Sequence, residues 1–331
     1  MQDLIAGFAD ILNFGTMFWI AVGVTLGYVL GAMPGLGKAT GVAVSIPLTF
    51  YLEPIAAIAM LIGIAKGSTA GSAVSAILLN TPGEPSSAPT ALDGYPMARQ
   101  GKAQKALKMG LFASVIGDFL STLVLIALAA PLAAYALLIG PVELCAILLF
   151  SLTFIGGLSG KSLIKGLIAA AFGIFFATIG LEAETFIPRM TLGLLELDEG
   201  ISLVPMAIGM LAVGEMMIQA GNMRRLDAET ATMTESPNRA DRIVTWAEWR
   251  RCLPVIGRGT LIGSTVGLLP GLGASVASFL SYGVTQRMSD DPESFGTGRI
   301  EGIAAAESAD NAVVPSSLVP LFALGIPGSV I

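Results

Sequence analysis

Four short runs combine proline and glycine within apolar surroundings: Pro34-Gly35-Leu36-Gly37, Asn80-Thr81-Pro82-Gly83, Pro270-Gly271-Leu272-Gly273 and Pro327-Gly328. Proline removes a backbone donor, and glycine accepts angles that other residues avoid. A helix meeting such a run should break and leave backbone groups unpaired. Half-helix N-termini then suit anionic groups, and unwound carbonyls suit cations. Lys38 directly follows the first run, and Lys66 lies between the first and second. Either ammonium can pair with a carboxylate, or it can reach an interface along its apolar stem. Ser275 and Ser278 follow the third run and can donate hydroxyl hydrogen bonds, or simply pack as small residues.

Two acidic groups suit a proton or a sodium ion. Asp118 stands in the middle of an apolar stretch. Gly110, Ser114, Gly117, Ser121 and Thr122 recur around it at helical spacing and form one small, polar face. A carboxylate there needs a proton, a cation or a paired neighbour. Glu307, Ser308, Asp310 and Asn311 offer side-chain oxygens at close spacing. They read either as a cation site or as the N-cap of a following helix.

The elements that must position these groups are set by composition. Of 331 residues, 54% are hydrophobic and 13% charged, with a mean hydropathy of +0.77. Soluble domains carry about 25% charged residues. Residues 109–142 hold one charge, Asp118, and 144–160, 166–181 and 201–214 hold none. Spans are expected at 107–129, 140–158, 163–181 and 201–219. The chain has no histidine and two cysteines, which excludes the common zinc sites and histidine-based catalysis. A net charge of -6 without an aromatic-interleaved basic patch argues against nucleic acid as a partner. Phe295-Gly296-Thr297-Gly298 lacks the spacing of a phosphate loop, so no ATPase signature is present. The chain stops inside an apolar segment, which leads us to expect a piece of a longer protein.

Charge orients the spans. Basic residues crowd loops 81–106, 159–162 and 220–258, whereas loop 182–200 is acidic. The positive-inside rule places the first three in the cytoplasm and the last outside. The long polar stretch 220–258 reads as a cytoplasmic linker. Trp246 and Trp249 suit a short helix lying at the bilayer surface.

The chain repeats itself. Residues 27–37 recur at 263–273, an offset of 236, with six of eleven positions identical. Leu79-Asn80-Thr81-Pro82-Gly83 is echoed by Leu324-Gly325-Ile326-Pro327-Gly328 at an offset of 245. The expected fold is therefore an all-α polytopic membrane protein with two repeats carrying broken or re-entrant helices. Transporter analogy favours inverted repeats. The expected units are 1–106 as first repeat, 107–219 as four transmembrane helices, 220–258 as linker and 259–331 as a truncated second repeat.

At these residues the chain resembles the large membrane subunit of the tripartite tricarboxylate transporters. The similarity runs through Met33-Pro34-Gly35-Leu36-Gly37, Ile46-Pro47-Leu48-Thr49-Phe50 and Ala76 to Pro85, then Leu92-Asp93-Gly94-Tyr95-Pro96. It continues through Pro270 to Ala274, Ser278 to Gly283, Phe295 to Gly298, Glu301 to Ala312 and Leu324 to Ser329. The chain departs from the family pattern at Lys38, around Lys66, at Ala306 and at Asp310. The resemblance implies a multi-pass permease of the bacterial inner membrane, with an elevator-like architecture. It implies cation-driven uptake of a tri- or dicarboxylate without ATP. It also implies two partners, a periplasmic substrate-binding protein and a small membrane subunit. No cofactor is expected beyond a coupling ion, sodium or proton. By residues alone, a passive anion channel and an intramembrane enzyme stay open.

Overall fold

The computed structural model describes residues 11–33, 37–136, 163–182, 187–194, 236–269 and 273–324, with Gly7, Val142, Ala146, Leu197, Asp198, Gly200, Ile201, Met206 and Met217. These residues are mostly helical. Helix α1 (Phe14–Ala32) begins behind Asn13, whose side chain accepts the Gly15 N–H. Helix α2 (Lys38–Thr49) starts after Gly37, and α3 (Pro54–Leu79) has proline in its first turn, where no donor is missed. Asn80 then turns left-handed at φ 52° and ends α3. A short 3-10 turn, Pro85–Ser87, leads into α4 (Ala88–Met97) and, past Gly101, into α5 (Ala103–Ala136). Helix α6 (Leu163–Ala177) precedes an antiparallel pair, β1 (Gly180–Leu181) and β2 (Pro188–Arg189), in which Gly180 faces Arg189. Helices α7 (Trp246–Leu268), α8 (Gly273–Arg287) and α9 (Ile300–Leu324) complete the described chain.

Among the described residues, three helices are long and apolar enough to cross a membrane: Phe14–Ala32, Pro54–Leu79 and Pro85–Leu128. Their outer faces carry large apolar side chains in the open, among them Phe18, Ile58, Val115 and Phe119. Such a surface suits lipid. The interior is built around α9, which is flanked by α5, α7 and α8. Ile303, Ala304, Ala305, Met109, Ala113, Cys252 and Ile256 share one apolar cluster there.

Small residues let the backbones meet. A Cβ on Gly27 would lie 2.1 Å from the Ile64 carbonyl oxygen, with Gly23 over Met60 and Gly31 over Ser68 in the same way. A Cβ on Gly263 would likewise run into the Ala309 carbonyl oxygen, and one on Gly267 would lie 2.8 Å from the Val313 carbonyl oxygen. In a bilayer, close packing of this kind supplies much of the helix association. Gly27→Ala should therefore cost about 1–3 kcal/mol by overpacking. Gly257→Ala, with nothing within 4 Å, should be silent. Thermal melting of the two detergent-purified variants checks this, and equal melting temperatures would refute the close approach.

Several expectations change. Segment 85–106 is helical rather than a loop, because Ala88–Met97 packs against α3 and α9. The expected span 107–129 lies inside the longer α5, and the span 163–181 yields to an extended pair after Ala177. The linker gives way at Trp246 to a 23-residue helix, so Trp246 and Trp249 open α7 instead of forming a short surface helix. Glu307, Ser308, Asp310 and Asn311 lie well inside α9, which rules out the N-cap reading. Spans 140–158 and 201–219 and linker residues 220–235 lie almost wholly outside the described residues.

The start of α7 is tied to α5. Thr245 and Glu248 form a capping box, and Lys105 Nζ donates to Glu248 Oε1 at 2.7 Å. Burial pushes the Glu248 carboxyl upward, but the hydrogen bonds from Lys105 and Thr245 outweigh it and hold the group below the usual range. A depressed carboxyl contributes stability above its unfolded value, and that contribution fades as pH falls through the folded one. Glu248→Ala should cost about 1 kcal/mol at neutral pH. Its gap to the parent should close in acid. Melting curves from pH 7 downward test this, and a gap that widens in acid would refute it.

Candidate functional site

The break after α3 returns the chain to the start of α2. Glu84 is buried there, and its Oε1 accepts the Lys38 backbone N–H at 2.6 Å and the Ser68 hydroxyl at 3.2 Å. Ser72 Oγ accepts the Glu84 N–H at 2.7 Å and donates to Ser87 Oγ at 2.8 Å. A carboxylate at a helix N-terminus is favoured by the unpaired amides and the dipole. Gly37 is needed for the approach, since a Cβ there would lie 2.9 Å from Glu84 Cγ.

Lys38 Nζ lies 3.2 Å from Glu84 Oε2 and 3.6 Å from Asp310 Oδ1 of α9. All three side chains are at least nine-tenths buried. The contact joins a break in the first half of the chain to a helix of the second. Among the described residues neither Asp310 oxygen makes a hydrogen bond of good geometry, and the polar groups beside it are Lys38 and the Ser86 hydroxyl. One turn away, Glu307 is fully buried and accepts hydrogen bonds from Thr90 at 2.6 Å and Ser114 at 2.9 Å. Asn311 donates to the Glu307 carbonyl at 3.0 Å, and Ser308 to the Ala305 carbonyl at 3.3 Å.

The remaining candidates fall around this centre. Lys66 of α3 and Asp118 of α5 form an ion pair with each other, so Asp118 has a paired neighbour. The rest of the α5 face meets α9: Gly117 against Ser308, and Ser121 against Ala312 and Ser316. Thr81 caps the Leu79 carbonyl, and Gly83 packs on Gly31. Ser278 donates to the Ser86 carbonyl at 2.5 Å. Gly273 opens α8 at φ 70°, and Ser275 is half-buried in its first turn. Pro34, Gly35, Leu36, Pro270, Gly271, Pro327 and Gly328 lie outside the described residues.

The residue missed by reading the sequence is Glu84. Its signal was an acid directly after the Thr81-Pro82-Gly83 break, inside an otherwise apolar region.

The model of the tripartite tricarboxylate transporter TctA family matches residues 17–331. The chain belongs to the TctA family. Among curated proteins, this TctA chain is 38% identical over 331 residues to the "Uncharacterized 52.8 kDa protein in TAR-I ttuC' 3'region" of Agrobacterium vitis. The match covers 99% of the TctA chain and 65% of that relative, so the chain spans about two thirds of the relative's length. A second Agrobacterium vitis relative, the "Uncharacterized protein in TAR-II ttuC' 3'region", is 52% identical over 65 residues, 20% of this chain and 27% of its own. No solved structure matches this TctA chain.

Proposed function

We propose that this TctA-family chain is the permease of a tripartite carrier that takes up small tri- or dicarboxylates across the bacterial inner membrane. A periplasmic binding protein delivers the substrate, a small membrane subunit assists, and a cation gradient, sodium or proton, supplies the drive. The protein is a carrier and not an enzyme. The observation that carries this reading is the buried Lys38, Glu84 and Asp310 cluster, which joins a helix break in one half of a family member to a helix in the other.

The repeat reading has support in the contacts. Gly27 meets Ile64, and Gly263 meets Ala309. The glycines differ by 236 positions and their partners by 245, the two offsets at which the motifs recur. Two copies of one helix–break–helix unit, inverted and moving together against the rest, would give alternating access in the manner of an elevator. In this reading the substrate carboxylate lies between the two breaks. Glu84 already occupies the start of α2. The α8 start, with Ser275 and Ser278, is the end to which we assign a substrate carboxylate. Lys66, Asn80, Thr81, Pro82 and Gly83 would border the same space. We assign the coupling ion to the Glu307, Ser308 and Asn311 side of this cluster, since Asp310 faces the Lys38 ammonium.

Uptake of labelled carboxylates into proteoliposomes tests the proposal. The vesicles hold the full-length permease and its small subunit, with binding protein outside and sodium or proton gradients imposed separately. Accumulation that needs the binding protein and one gradient is the expected result. Equilibration without a gradient would mean a channel, and no flux for any acid would remove the carboxylate assignment.

A further inference from the structure

Glu84 and Asp310 present two carboxylates to one buried point, from elements far apart in the chain. Two such groups repel and need positive charge between them. A carrier with broken helices would ordinarily draw that charge from solution, as a monovalent cation held by oxygens. Here a side chain stands in the place. Lys38 Nζ lies 3.2 Å from one carboxylate and 3.6 Å from the other.

The manner of its seating is that of an ion. Lys38 Nζ and both Asp310 oxygens are buried and make no hydrogen bond of good geometry among the described residues. The ammonium is therefore held mainly by the charge of the two carboxylates. Its position is fixed from behind, because the Lys38 backbone N–H holds the other oxygen of Glu84 at 2.6 Å. The seat is thus built around the lysine, at the first residue of α2.

We propose that Lys38 is a tethered cation: its ammonium fills the seat between Glu84 and Asp310 that a free monovalent metal ion would otherwise take, so this site works without sodium. Removing the ammonium opens the seat to a cation from solution. The inference deepens the carrier reading, because it assigns part of the coupling chemistry to the chain itself.

The test is thermal melting of the full-length protein in detergent, in sodium chloride against choline chloride at equal ionic strength. The parent protein should melt at the same temperature in both. Lys38→Ala should melt lower in choline and recover with sodium or methylammonium. The recovery should be saturable and reach about 5 °C at a hundred times the dissociation constant. Adding Asp310→Asn should abolish the recovery, and Lys38→Arg should stay indifferent to sodium. A Lys38→Ala protein that survives purification only in sodium or methylammonium would be the same result at its extreme. One that is indifferent to every cation, or unfolds in all of them, overturns the proposal. So does a parent protein stabilised by sodium in a way that Asp310→Asn removes. Melting needs no carboxylate, binding protein or flux, so failure of this inference and failure of the carrier reading are separate results.

Discussion

Glu84→Ala is expected to cost about 3–5 kcal/mol, the range for removing one partner of a buried ion pair. For a membrane protein extracted in detergent, that loss would show as little folded material. Four contacts disappear together: the Lys38 ammonium, the Lys38 backbone N–H, and the Ser68 and Ser86 hydroxyls. Lys38 would keep only Asp310, at 3.6 Å and without hydrogen-bond geometry. Glu84→Gln separates the parts. Its amide oxygen can still accept the Lys38 N–H and the Ser68 hydroxyl, so it should lose less than the alanine variant. A triple variant, Lys38→Met with Glu84→Gln and Asp310→Asn, removes all three charges at once. It should recover part of the stability, since replacing a buried ionic group by neutral residues is often tolerated. Thermal melting of the four proteins orders them. A Glu84→Ala protein as stable as the parent would mean that the cluster does not hold the two halves.

What the sequence made legible follows from the residue types involved. Proline and glycine act locally, so the ends of α1 and α3 near Pro34 and Pro82 could be expected without knowing any partner. The polar face of α5 was readable because Ser114, Gly117 and Ser121 recur at helical spacing, and these three do meet α9. Pairings between distant elements were not readable. Lys38 and Asp310 are separated by most of the chain, and nothing near either one names the other. Residues 81–106 looked like a loop because Arg99, Lys102 and Lys105 follow four prolines. Tertiary packing of Ala91 and Met97 overrode that local signal. Glu307 to Asn311 looked like a helix start because Ser, Asp and Asn favour caps. The buried run Ile303-Ala304-Ala305-Ala306 before them already continues the helix.

Asp93→Ala should be the most damaging change outside that cluster. Asp93 lies fully buried on α4, in a motif to which no role could be assigned from the sequence. Its Oδ1 accepts three backbone N–H groups, from Gly296 at 2.9 Å, Gly298 at 2.9 Å and Arg299 at 2.8 Å. Its Oδ2 accepts the Tyr282 hydroxyl at 2.9 Å. One carboxylate from the first half thus caps the start of α9 and fastens the turn that leads into it. Tyr282 packs edge-on against Phe295, and Arg299 lies over the same ring, so the turn is held on both sides. Hydrogen bonds to a charged acceptor contribute about 1.5–3 kcal/mol each, and stranding buried donors adds to the loss. We expect Asp93→Ala to lose more than about 3 kcal/mol on that scale. Asp93→Asn keeps the shape: its oxygen can still take the three N–H groups, and its amide can donate to Tyr282 Oη. It should lose about half as much, because neutral hydrogen bonds are roughly half as strong. Tyr282→Phe removes a single contact and should lose about 1 kcal/mol. Melting temperatures should fall in the order Tyr282→Phe, Asp93→Asn, Asp93→Ala. Limited proteolysis gives an independent reading, since the turn at 288–298 should be cut first in Asp93→Ala. If that variant melts with the parent and resists cleavage there, the start of α9 is held by something other than Asp93.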